Sequence, residues 1–176
     1  MTTLLGLSGS LRADSTNTKL MRNAAKLFAA DTFIEGDIRL PLYDGDLETA
    51  EGIPAAVQTL ADQIATADAV IIATPEYNKS LSGSLKNALD WVSRTKGSPW
   101  SGKPVAIMSA AAGRAGGERA QYALRHAMTP FRPMILQGPE VMVAASGSQF
   151  DDAGKLINEQ NIKALTDLMT ALRALT

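Results

Sequence analysis

Three short runs, Thr2–Ser8, Asp68–Thr74 (DAVIIAT) and Lys103–Ser109 (KPVAIMS), are apolar at nearly every interior position instead of alternating. Strands of that kind are covered on both faces, which is the condition of strands inside a parallel sheet. Parallel neighbours need crossover connections, and those are usually helices. The intervening segments meet that need. Leu20, Ala24, Leu27 and Phe28 repeat at helical spacing from about Thr16; Val57, Leu60, Ala61 and Ile64 follow Pro54; Leu85, Ala88, Leu89 and Val92 form a third stripe. Ala120, Ala123, Leu124, Ala127, Met128 and Phe131 make a fourth, ended by Pro130 and Pro133, and Leu165, Leu168, Met169, Leu172 and Leu175 close the chain. A weaker strand is expected over Thr32–Ile38. A last one falls within Pro133–Ala145, where Pro139 splits it.

Five strands alternating with five helices predict an α/β doubly wound sheet of order 2-1-3-4-5. At 176 residues and 45% hydrophobic content, the chain has material for one core, so residues 1–176 are expected to form a single domain. Ligands of such sheets bind at the carboxyl ends of the strands near the switch point. That directs attention to the loops after strands one, three and four.

Composition removes several chemistries. There is no Cys, hence no thiol nucleophile or disulfide, and the lone His126 makes a His-based metal site improbable. Redox chemistry in such a chain would rest on an organic cofactor. A net charge of −1, without a Lys or Arg block, argues against a nucleic-acid partner. Long apolar runs are absent, and Met1-Thr2-Thr3-Leu4-Leu5 does not open like a secretory signal, so a soluble cytoplasmic protein without membrane insertion is expected.

The loop after strand one, Ser8 to Thr18, holds Ser10, Arg12, Ser15, Thr16 and Asn17 where a helix begins. Helix N-termini attract anions through unpaired N–H groups, and hydroxyls and a guanidinium add donors. One cap needs one Ser, Thr, Asp or Asn; this many, beside an Arg, point to a phosphate. Gly6 and Gly9 are followed by neither G-x-x-x-x-G-K-[ST] nor G-x-G-x-x-G, so a terminal monophosphate such as that of FMN fits better than a nucleoside triphosphate or a dinucleotide. After strand three, Thr74 to Trp91 begins with a Pro-directed turn, Pro75-Glu76-Tyr77-Asn78, that can offer backbone N–H groups and an aromatic face to a flat ring.

G-S-L-R-x-x-S-x-N at Gly9–Asn17, P-E-Y-N at Pro75–Asn78, L-K-N-A-x-D-W at Leu85–Trp91 and the stretch Gly116–Arg125 together resemble the NADPH-dependent FMN reductases, which include quinone, chromate and azo-dye reductases. The resemblance implies a flavodoxin-like three-layer fold, FMN as tightly bound cofactor and NADPH or NADH as electron donor. It also implies ping-pong hydride transfer through flavin N5 to small-molecule acceptors, with no catalytic side chain. By position, Ser10, Arg12, Ser15, Thr16 and Asn17 would hold the FMN phosphate, and Pro75, Glu76, Tyr77 and Asn78 would line the ring. Ser109 to Gly113 would approach it largely through backbone. Ala111 stands there where a serine is expected.

Lys79, unusual after P-E-Y-N, would raise the flavin potential, attract anionic acceptors or simply be solvated; with Arg12 it is a candidate partner of a 2′-phosphate. Relatives are dimers or tetramers, so a homodimer or homotetramer is expected. Arg119, Tyr122 and Glu140 would meet between dimers. Trp91 lies off the Leu85, Ala88, Leu89, Val92 stripe and is expected to anchor a dimer interface. The alternatives are a flavodoxin-type one-electron carrier, against which the net charge of −1 argues, and a phosphate-sensing or nucleotide-binding regulatory domain.

Overall fold

The computed structural model describes Met1–Thr176. Its elements are β1 (Thr3–Ser8), α1 (Thr16–Phe28), β2 (Thr32–Gly36), α2 (Gly45–Glu51), α3 (Ala55–Thr66), β3 (Ala69–Thr74) and α4 (Gly83–Val92). There follow β4 (Pro104–Ala110), α5 (Glu118–Met128), β5 (Met134–Ile135), β6 (Met142–Val143) and α6 (Glu159–Arg173). The strands pair in parallel in the order β2-β1-β3-β4-β5, as the alternation predicts, and β6 also pairs with β4.

Because successive strand residues point to opposite faces, each central strand supplies both cores. Leu4, Ile71, Ala106 and Met108 pack against α1 and α6 through Leu20, Phe28, Leu165 and Leu172. Leu5, Leu7, Val70, Ile72 and Ile107 pack against α3, α4 and α5 through Ile64, Leu85, Leu89 and Leu124. All six residues of β3 and all seven of β4 are buried, which is why these runs carry no polar alternation.

Several boundaries depart from expectation. The last strand is two: Met134–Ile135 pairs with the start of β4 and Met142–Val143 with its end, with Gly138-Pro139 in the gap. Pro lacks the ladder N–H, so an interruption there is natural. The short helix α2 was not foreseen; it buries no residue and so has no apolar stripe to read, and the Asp44 carboxylate caps it by accepting from Asp46 N–H. Leu175 lies past the end of α6 and is exposed.

Trp91 requires a correction. Its ring is fully covered within the single chain, its Nε1–H donates to the Pro41 carbonyl at 2.7 Å, and it meets Tyr43 edge-to-face at 5.0 Å. The second face of α4 is therefore buried under residues 41–43 of the same chain, which is what the off-stripe aromatic signals.

Candidate functional site

The loop after β1 must approach β3 closely. Gly9 N–H donates to Ala73 O, and a Cβ at Gly9 would lie 2.9 Å from Pro75 Cδ, so only glycine fits. Ser82, the N-cap of α4, donates its hydroxyl to Gly9 O at 2.6 Å, and Ser84 donates to the same carbonyl at 3.2 Å. The β1 and β3 loops are thereby tied edge to edge. On the other side Asn17 locks α1 to the end of β4: its amide donates to Ala110 O and accepts from Ala110 N–H, both at 2.9 Å.

A cleft of about 450 Å³ opens between these loops. Ser10, Arg12, Ser15, Thr16, Asn17, Pro75, Glu76, Tyr77 and Ala111 all line it, so most residues singled out in the sequence converge there. The exceptions are instructive. Ser109 is wholly buried behind the rim, donating to Gly116 O at 2.7 Å and accepting from Gln121 Nε2 at 2.9 Å. Its role is to join β4 to α5. Asn78 and Gly113 are exposed and lie outside the cleft lining. Asn78 and Lys79, at φ 50° and 66°, are the centre of a tight turn closed by reciprocal Tyr77–Ser80 backbone bonds, a type I′ geometry that turns Tyr77 back toward the cleft.

The site's polar groups divide into engaged and free. Ser15 caps α1 by accepting from Asn17 and Thr18 N–H, which leaves its own hydroxyl hydrogen to donate. The buried Ser10 Oγ accepts from Arg12 N–H at 3.4 Å and likewise keeps its hydrogen. Arg12 is exposed and makes no ion pair, while Lys19 neutralises Asp14 at 2.5 Å and, chiefly through that hydrogen bond, holds the Asp14 carboxyl below its ordinary value. The backbone N–H groups of Thr16, Glu76 and Ala112, all cleft residues, find no acceptor in the chain. Ala111 N–H, by contrast, is taken by Val143 O. Glu76 faces away from acid–base work: its carboxylate accepts from Arg119 N–H at 3.1 Å and caps the first turn of α5.

Sequence reasoning missed Ser146 and Gly147, which complete the cleft wall after β6. Thr16 Oγ1 donates to Ser146 Oγ at 3.3 Å, and Ser146 N–H donates to Ala111 O. The signal was the last of three Ser-Gly-Ser runs, at 146–148, which follows a strand as those at 8–10 and 82–84 do.

These residues fit a mononucleotide such as FMN. Unclaimed donors, two hydroxyls, one backbone N–H at a helix start and a free guanidinium, cluster at one end where a phosphate dianion would sit. The free N–H groups of Glu76 and Ala112, in the loops after β3 and β4, line the same cleft as Tyr77 and would suit the edge of a polar ring.

Comparison with known proteins agrees. Residues 2–148 match the family model described as NADPH-dependent FMN reductase. An NAD(P)H-dependent FMN reductase of Pseudomonas aeruginosa is 43% identical over 97% of this chain and 92% of its own length. A quinone reductase of Escherichia coli K12 is 40% identical over 94% and 90%. Among solved structures, the flavoenzyme NAD(P)H:(acceptor) oxidoreductase FerB of Paracoccus denitrificans superposes with a TM-score of 0.88, at 33% identity, covering 99% of this chain and 97% of FerB.

Proposed function

The chain belongs to the NADPH-dependent FMN reductase family and is an oxidoreductase, and from that premise we propose that it oxidises NADPH or NADH through FMN and reduces small-molecule acceptors, quinones foremost. The observation that carries this reading is the convergence of the β1 and β3 loops around one cleft whose free donors suit a phosphate and a polar ring edge. FMN, when bound, supplies the two-electron chemistry.

What the protein contributes is placement. Ser10, Ser15, Arg12 and the Thr16 N–H would hold the phosphate, while Asn17 fixes the α1 terminus to β4. Glu76 and Ala112 would offer backbone N–H groups to a polar ring edge, where such donors favour negative charge. Tyr77, 47% exposed, would pack beside the ring. The hydride donor and the acceptor would use the one cleft in turn, so parallel double-reciprocal plots are expected.

The purified protein is expected to be yellow, to bleach on anaerobic addition of NADPH, and to recover its colour with a benzoquinone. Failure to take up FMN from a riboflavin-rich host or in reconstitution overturns the reading. Bound FMN that NADPH fails to bleach would instead restore the electron-carrier alternative, which its reductase relatives do not favour.

Quaternary structure and location belong to the same proposal. No helix is long and apolar enough to cross a membrane, and a cytoplasmic site of action suits an enzyme that draws on NAD(P)H. A homodimer or homotetramer is proposed, with Tyr122, 53% exposed, and exposed Glu140 as contact candidates; light scattering decides it. Arg119 is a weaker candidate, since its guanidinium already lies 3.8 Å from Glu76.

A further inference from the structure

Behind the β1 loop, on the side away from the main cleft, lies a second polar cleft of about 230 Å³ between that loop and the C-terminal end of β2. Ser10 and Arg12 border both clefts, so the loop is a ridge with a polar hollow on each flank. We infer that this second hollow seats the 2′-phosphate of NADPH and that Arg39 is the residue that distinguishes NADPH from NADH. The inference rests on the function proposed above and deepens it.

The charge pattern carries the argument. Arg12, Arg22 and Arg39 line the hollow against Glu35 and Asp37. Arg22 and Glu35 neutralise each other in a bidentate pair at 2.7 and 2.9 Å. Asp37 Oδ1 is folded back to accept from Arg39 backbone N–H at 2.9 Å, so it contributes a charge but not an ion pair. The Arg39 guanidinium donates one N–H to Leu11 O at 2.6 Å, which fixes it across the mouth with the rest of its fork unclaimed. Arg12 has no carboxylate partner at all. With Arg12 shared with the FMN seat, Arg39 brings to the hollow a guanidinium that has no carboxylate partner and is only partly engaged, and Asp37, Ser8 and Thr18 line the same hollow, the two hydroxyls joined at 2.8 Å.

A phosphate monoester matches that set. Its oxygens accept from planar guanidinium forks in pairs, an arrangement that a lone hydroxyl cannot exploit. NADPH differs from NADH only by such a group, so whatever binds it sets the preference between the two. Arg39 rather than Arg12 is the discriminator, because Arg12 also belongs to the FMN seat and its loss would disturb both.

The test is calorimetry on the FMN-loaded protein, in which the FMN phosphate seat is already filled, with 2′,5′-ADP, 5′-AMP and inorganic phosphate as probes. Expected are binding of 2′,5′-ADP about tenfold tighter than 5′-AMP, loss of that ratio in R39Q without change in 5′-AMP affinity, and weak binding of inorganic phosphate alone. In steady state R39Q raises KM for NADPH and leaves kcat and the NADH parameters unchanged. D37N, which keeps the acceptor for Arg39 N–H but removes the opposing charge, should tighten 2′,5′-ADP several-fold and thus tests the site with the opposite sign, even if R39Q proves unstable. Equal affinity for the two nucleotides, a uniform loss for both in R39Q, or no response to D37N overturns the inference while FMN binding and NADH oxidation still stand. Inorganic phosphate binding as tightly as 2′,5′-ADP also overturns it, in favour of a free-anion site. A chain that never takes FMN overturns both readings together.

Discussion

Asn17 is only 3% exposed, and both ends of its carboxamide are bonded to the backbone of Ala110. Deleting that side chain strands a carbonyl and an N–H away from water, so Asn17→Ala is expected to cost about 2–3 kcal/mol in urea unfolding. FMN affinity should fall with it, since the same lock fixes the start of α1 that lines the cleft. A variant of unchanged stability would show that the lock is not needed. The same distinction separates Ser15 from Ser109. Both are buried hydroxyls in expected positions, but Ser15 keeps a free hydrogen at the cleft and Ser109 is turned to Gly116 and Gln121. Residue type and position could name both, whereas direction could not be read from the letters, because it depends on which neighbour the fold brings within reach. Gly116 and Gly117 show why that neighbour is close: a Cβ on either would sit within 2.7 Å of Met142 or Ser109.

At the scale of elements, α4 organises more of the rim than its stripe announces. Its apolar side packs on the sheet, and its other side holds residues 41–43 through Trp91 and through Asn87, which donates to Pro41 O and accepts from Tyr43 N–H. The segment continues into α2, where Glu48 accepts from Arg94 at 2.9 Å and from the Tyr43 hydroxyl at 3.1 Å. Arg94, foremost, with help from Tyr43, holds the Glu48 carboxyl below its ordinary value. A carboxyl depressed in the folded state stabilises fully above its unfolded pKa of about 4.3, and that contribution is lost as pH falls through the lowered value. Acidification below pH 4 is therefore expected to loosen the 41–51 segment before the sheet. Amide exchange in that segment checks it, and Glu48→Gln should remove the pH dependence. An identical acid response in Glu48→Gln would mean that the network does not hold the segment.

For the whole molecule, the site is an edge shared by four separate loops, so its ligand should stabilise the assembly as a unit. FMN at about one hundred times its dissociation constant is worth about 2.7 kcal/mol and should raise the melting temperature by several degrees. Riboflavin, lacking the phosphate, should raise it distinctly less; equal shifts would remove the phosphate seat from the β1 loop. The fold itself was legible in the chain, since runs such as DAVIIAT have no polar face and can persist only where both faces are covered, which commits them to a helix-sandwiched parallel sheet. Hydroxyl clusters after strands one and three were legible for the same reason: they are local, and each announces itself within a dozen residues. Ser146 at the cleft wall, the inward turn of Ser109, the burial of Trp91 beneath Pro41 and Tyr43, and the placement of Arg39 across Leu11 were decided only in three dimensions. Each is a contact between segments 7 to 130 positions apart, such as Thr16 with Ser146 or Ser109 with Gly116. Periodicity reports which face of an element is apolar, and the partner that covers it is selected by the packing of the whole chain.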